Sequence, residues 1–175
     1  MKISIVTPSF NEEENIENFC KSIKETISKV ECEYEHIVID NNSTDKTIEI
    51  LREIANQDKN LKVIINSKNY GHIRSPFHGI LQSDGDATIL MASDFQDPID
   101  LIPKYIEYWK KGYEVVLGKK KTSDENKYLY LIRSLFYKLL NKISDTSLTE
   151  NTTGSGIFDR KIIKQLKNIK NPYPY

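Results

Sequence analysis

Cysteine is scarce: Cys20 and Cys32 are the only two among 175 residues, and their spacing matches no metal-binding or dithiol redox pattern. Cys20 falls on the apolar face of an expected helix, which reads as a reduced, packed thiol. Neither sign of charge is in excess, with 25 Lys and Arg against 25 Asp and Glu. Long-range attraction to nucleic acid therefore has no basis, and the run Lys119-Lys120-Lys121 reads as solvated surface. No apolar stretch is long enough to span a bilayer and no leader pattern opens the chain, so a soluble intracellular domain is expected. Also missing are a glycine-rich turn after the first apolar run and a GxxxxGK[ST] loop. Pro8-Ser9-Phe10-Asn11-Glu12-Glu13 puts negative charge where a dinucleotide fold needs backbone amides, which excludes both of those nucleotide-binding modes.

What the chain does have is three short apolar runs that each break off into acidic or polar residues. Ile3-Ser4-Ile5-Val6-Thr7 leads to Pro8, His36-Ile37-Val38-Ile39 ends at Asp40, and Thr88-Ile89-Leu90-Met91 is followed by Ala92-Ser93-Asp94. Continuous β-branched runs are the mark of buried parallel strands. In open α/β sheets the ligand crevice lies beyond the carboxyl ends of such strands. Oxygen donors gathered there can hold a hard divalent cation and, through it, a phosphorylated ligand.

The length suffices for one domain with a proper core. Strand and helix patterns alternate, predicting an α/β fold with a parallel sheet between helices. Asn11 and Glu14 have the spacing of a capping box, ahead of a stripe of Ile16, Phe19, Cys20, Ile23 and Ile27. A second helix is expected from near Thr44, a third strand over 61–65, and a third helix lined by Ile73, Phe77, Ile80 and Leu81. A strand over 87–92, a helix over 99–111 stopped by Gly112, and a strand over 113–117 follow. The polar stretch 119–127 reads as a loop. Leu131 to Ile143 has the pattern of an amphipathic helix whose apolar face suits core packing, a membrane surface or a second copy of the chain. Ile157-Phe158 is a short apolar piece, and a last helix is expected over 159–169.

Asp94 and Gln96 offer two oxygen donors on one side of a turn, enough for Mg²⁺ or Mn²⁺ that keeps positions for water and phosphate. Such an ion could stabilise a departing diphosphate. Asp97 suits a helix cap better. Ser43, Thr44 and Asp45 suit turn and cap roles. Asp40, at a strand end, is expected to face the crevice and accept hydrogen bonds from a base or ribose. Pro8, Phe10 and Glu12 supply a flat ring and an acceptor that could frame a base.

Taken together, Ile5 to Glu12, Val38 to Thr47 and Ser93 to Pro98 resemble family 2 glycosyltransferases of the GT-A fold. The resemblance is strongest to the polyprenyl-phosphate sugar synthases. It implies that Pro8, Phe10, Glu12 and Asp40 surround the base and ribose of a UDP- or GDP-type sugar donor. It places Asn69 and Gly71 in an Asn-x-Gly turn beside the donor, with Ser93 and Asp94, and assigns Asp94 and Gln96 to the metal motif. The implied reaction is transfer of the sugar, with inversion, to a lipid phosphate or a glycan acceptor.

Three departures qualify that resemblance. Ala92 stands where the metal motif usually begins with a further Asp, and Gly154 and Gly156 stand where relatives often carry an Asp and, two residues on, an Arg. Without that Arg, phosphate binding weakens and a sugar hydroxyl acceptor gains ground; no catalytic base is assigned. These departures keep open a second class, a sugar-nucleotide-binding module without catalysis, and a third, an assembly protein docking through 131–143. Lastly, Asn171-Pro172-Tyr173-Pro174-Tyr175 resembles the point where relatives continue into interfacial and membrane segments. The chain is therefore expected to be one catalytic domain, 1–175, of a longer protein at the cytoplasmic face of a membrane.

Overall fold

A computed structural model describes residues 1–119 and 152–169. The chain divides into two compact units, Met1–Leu117 with Gly154–Tyr175, and Gly118–Thr153. Most of the second unit, including the segments expected as a loop after Lys119 and as a helix over 131–143, lies outside the described residues.

The described elements run β1 (Lys2–Ser9), α1 (Ile16–Ile27), β2 (Glu33–Asp40), α2 (Thr47–Gln57), β3 (Leu61–Ile65), α3 (Gly71–Gln82), β4 (Ala87–Leu90), α4 (Leu101–Lys110), β5 (Val115–Lys119), β6 (Thr152–Asp159) and α5 (Arg160–Asn168). The sheet order is β3-β2-β1-β4-β6-β5. β1 lies parallel to both β2 and β4, β2 is parallel to β3, and β6 runs antiparallel to β4. β1 is therefore central, which explains why Ile3 to Thr7 is buried on both faces with no polar alternation.

Side-chain parity sorts the helices onto the two faces of the sheet. Ile3 and Ile5 pack with Phe19 and Ile23 of α1 and Ile102 and Ile106 of α4. Val38 on the same face meets Leu51 of α2. Val6 and Ile37, pointing the other way, meet Ile80 of α3 and Ile163 of α5. Gly79 lets α3 approach closely, since a Cβ there would lie 2.7 Å from Val6 Cγ1. Among the described residues no helix is long and apolar enough to cross a membrane.

Several boundaries differ from the pattern-based expectation, each for a local reason. Asn11 does not cap α1: it sits at φ 53° and its side chain accepts from Thr44 N at 2.9 Å, so the helix starts five residues later, at Ile16. α2 starts at Thr47 rather than Thr44, because Ser43, Thr44 and Asp45 hold the preceding loop. Of the residues expected to line α3, Ile80 is buried but Ile73 is 45% exposed, and the helix also buries Ser75, Pro76 and Gly79. The short apolar piece Ile157-Phe158 belongs to an eight-residue strand. Its small residues have a use: a Cβ on Gly156 would come within 2.5 Å of Val116 O.

Candidate functional site

The β1–α1 and β2–α2 loops are stitched together by side chain to backbone hydrogen bonds. Asn11 N donates to Ser43 Oγ (2.9 Å), Glu12 N to Thr47 Oγ1 (2.8 Å), Glu13 N to Asp45 Oδ2 (3.1 Å) and Lys46 N to Glu13 Oε2 (2.9 Å). Burial works against the Asp45 carboxylate, yet hydrogen bonds from Thr47 and Glu13 hold its pKa below the ordinary value. The acids of this run are thus spent largely on loop geometry.

Asp40 is the residue whose placement differs most from expectation. It is fully buried, with Oδ1 accepting from Ser43 N (2.9 Å) and Oδ2 from Ser43 Oγ (2.5 Å) and Ser9 Oγ (3.4 Å). Its partner Ser9 and its neighbour Asn41 line the cleft described next, but Asp40 itself does not, although the strand-end position suggested that it would.

A cleft of about 590 Å³ collects the other sequence-derived candidates. Pro8, Phe10 and Glu12 come from the end of β1 and its loop, Asn69 and Gly71 from the turn before α3, and Ser93, Asp94 and Gln96 from the loop after β4. Gly154 of β6 contributes to the same lining. Phe10 is 43% exposed, so its ring is free to meet a ligand. Ser93 Oγ donates to Pro8 O (3.2 Å), tying two of these loops together. Phe95, at φ 56°, sets its ring edge-on to Phe19 at 5.2 Å and anchors the Asp94 loop to α1.

Among the lining residues that the sequence reading did not single out, two stand out. Asn41 is buried and joins the end of β2 to the turn before α3: it donates to Asn69 Oδ1 (2.8 Å) and accepts from Tyr70 N (2.9 Å) and Asn66 Nδ2 (3.2 Å). Its position in Asp40-Asn41-Asn42 reads as a turn, and only the contact with Asn66 and Asn69 reveals the network. His72, the second residue of α3, also lines the cleft; nothing in its local pattern distinguishes it from a surface histidine.

Among the described residues, no group of three or more His, Cys, Asp or Glu is placed to hold a metal ion. Asp94 and Asp97 nonetheless line the cleft with Gln96, and Asp94 Oδ1 accepts from Gln96 N at 3.1 Å. This all-oxygen set suits a hard cation completed by water and ligand phosphate, the ordinary mode for Mg²⁺ and its analogues. Ala92, also in the lining, adds only a methyl group.

A second cavity, of about 370 Å³, lies between α1, α2 and β2. Burial pushes its Cys20 thiol up to about 12 and its His36 imidazole down to about 4, with Asp58 opposing the latter. At neutral pH both groups are therefore uncharged.

Comparison with known proteins settles the lineage. The sequence model described as Glycosyl transferase family 2 matches residues 4–167. The chain belongs to glycosyl transferase family 2. Among family relatives, an uncharacterized glycosyltransferase, YkcC, of Bacillus subtilis is 34% identical over 176 residues, covering 100% of this chain and 54% of the relative. A bactoprenol glucosyl transferase of Shigella phage SfX is 35% identical over 168 residues, covering 95% of this chain and 55% of the relative. The chain thus spans about half the length of the curated relatives it matches. A Pyrobaculum calidifontis mannosyltransferase solved with GDP-Man and Mn²⁺ superimposes with a TM-score of 0.64 at 18% identity, over 94% of this chain and 46% of that one. Mycobacterium tuberculosis glucosyl-3-phosphoglycerate synthase, solved with Mn²⁺, UDP and glucosyl-3-phosphoglycerate, gives 0.63 at 22% identity, over 92% and 57%. The family-2 fold expected from the sequence, GT-A with a mostly parallel sheet flanked by helices, is the fold observed.

Proposed function

We propose that this chain is the donor-binding, catalytic half of an inverting glycosyltransferase that moves a sugar from a nucleoside diphosphate to a polyprenyl phosphate. The observation that carries the reading is the convergence of the loops after β1 and β4 and before α3 on one cleft, in a chain of family 2. The name of the phage relative supports the lipid acceptor, and the nucleotide complexes of the fold neighbours support the donor class.

Within that cleft the chain's own groups have separable tasks. Phe10 offers an apolar face for stacking a base, with Glu12 as an acceptor beside it. Asn69 and Gly71 present a tight turn without bulk, letting the donor approach the start of α3. Asp94, with Gln96 and Asp97, would hold Mg²⁺ or Mn²⁺, which when bound offsets negative charge on the departing diphosphate. Holding the donor in one pose converts transfer into an effectively unimolecular event. A phosphate acceptor is already anionic, so the cleft needs no strong base for it, and its lipid tail would place the whole protein at the cytoplasmic face of a membrane.

Calorimetry with UDP-glucose and GDP-mannose, with and without Mn²⁺, tests the donor half of the reading. Cation-dependent binding of either supports it; no binding of either sinks it. Mass spectrometry of undecaprenyl phosphate incubated with the bound donor and the protein tests transfer. Ala92, Gly154 and Gly156 favour a second reading, a sugar-nucleotide-binding module without catalysis. Donor binding with neither transfer nor hydrolysis would select it.

A further inference from the structure

The cleft has an unbalanced charge. Glu12, Asp94 and Asp97 bring carboxylates to it, and His72 is the single basic side chain among its described lining residues. A nucleoside diphosphate adds more negative charge, so a donor of this chain's own beside the divalent ion would help to hold it. We propose that His72 binds the diphosphate of the nucleotide ligand, a role that rests on the donor-binding reading above.

Three features of the fold equip it for this. His72 is exposed, and no hydrogen bond or ion pair engages its ring among the described residues, so the ring is available to a ligand. Its backbone is pinned: Asn69 Oδ1 accepts from Gly71 N (2.8 Å) and from Asn41 Nδ2 (2.8 Å), while Asn41 Oδ1 accepts from Tyr70 N (2.9 Å). Gly71, at φ +84°, makes the sharp entry into the helix that a side-chain-bearing residue would resist. Finally, His72 stands in the first turn of the twelve-residue α3, where the helix dipole and free amides also favour an anion.

An imidazole N–H can donate to a phosphate oxygen. The other charged groups of the cleft lining are Glu12 from the loop after β1 and Asp94 and Asp97 from the loop after β4. On its own helix Arg74 and His78 line a neighbouring hollow with Tyr70 instead.

The test is calorimetry of the chain with UDP and GDP at fixed Mn²⁺. His72→Gln is expected to weaken binding about fivefold to tenfold. His72→Lys, which keeps a donor at the same place, is expected to restore affinity. Unchanged melting temperatures in both variants would confirm that the exposed site alone was altered. If the wild type binds UDP or GDP and His72→Gln matches it, the role of His72 is overturned while the donor-binding reading stands. If the wild type binds neither, the donor-binding reading itself has failed, and this assignment with it.

Discussion

Asn41 Nδ2 and Asn69 Oδ1 are joined by a 2.8 Å hydrogen bond that links the end of β2 to the turn before α3. The same Asn41 accepts from Tyr70 N and Asn66 Nδ2 and donates weakly to Gly71 O (3.5 Å), so one side chain of the cleft lining serves donors and acceptors of four other residues.

Asn41→Ala should therefore cost about 1–3 kcal/mol, because truncation leaves buried polar groups without partners. Asn41→Asp keeps the acceptor for Tyr70 N and loses the donor to Asn69, and should fall between Ala and wild type. Urea denaturation measures both. Each variant should also weaken nucleotide binding, since the turn that places Asn69 and His72 loses its anchor.

Asp94→Asn should leave stability within about 0.5 kcal/mol, since the side chain is exposed and its only described partner is the amide of Gln96. Nucleoside diphosphate binding that depends on Mn²⁺ should drop at least tenfold. Calorimetry with and without the ion reads this directly; equal ion-dependent affinity in the variant would remove Asp94 from the metal set.

The parallel strands were legible because burial on both faces leaves a run dominated by β-branched residues, as in Ile3 to Thr7 and His36 to Ile39. The α1 stripe was legible for the matching helical reason. Asp40 was misplaced because position at a strand end fixes the height of a residue but not whether neighbouring hydroxyls enclose it; Ser9 and Ser43 do. β6 was mostly missed because Thr152 to Gly156 is small and polar, and its strand conformation comes from pairing with β4 across a long separation in sequence. Asn41 and His72 depend on the same kind of long-range assembly.

His36 makes stability depend on pH. Burial pushes its imidazole from the ordinary 6.5 down to about 4, with Asp58 opposing, while Nε2 lies 2.9 Å from Thr7 Oγ1. Between those values the unfolded chain binds the proton and the folded one does not, so stability falls as pH drops from about 6.5 toward 4, by up to about 3 kcal/mol. Above 6.5 the residue contributes no slope. Glu35 acts in a lower window: burial raises its pKa, but hydrogen bonds from Lys62, Ser4 and Asp84 outweigh that and hold it at about 2. Its stabilisation is lost only below about pH 4.5. Urea denaturation at about pH 7 and 5 should therefore show a drop that shrinks in His36→Gln.

Gly154 and Gly156 separate the two halves of the missing acid–arginine pair. Around Gly154 an added Cβ meets nothing within 4 Å among the described residues, and the position lines the cleft. Gly154→Asp should thus fold with a stability change within about 0.5 kcal/mol. It should also weaken diphosphate binding in the absence of a divalent ion by about fivefold, the effect of roughly 1 kcal/mol of added repulsion. Gly156 has no such room: a Cβ would lie 2.5 Å from Val116 O and 2.8 Å from Leu117 Cδ2. Gly156→Ala should cost about 1–3 kcal/mol through overpacking against β5, and Gly156→Arg more. If denaturation instead shows both positions equally tolerant, the close approach of β6 to β5 is not what excludes the arginine. If it shows the expected contrast, a charge partner for phosphate has to come from elsewhere on the cleft wall, where His72 already stands.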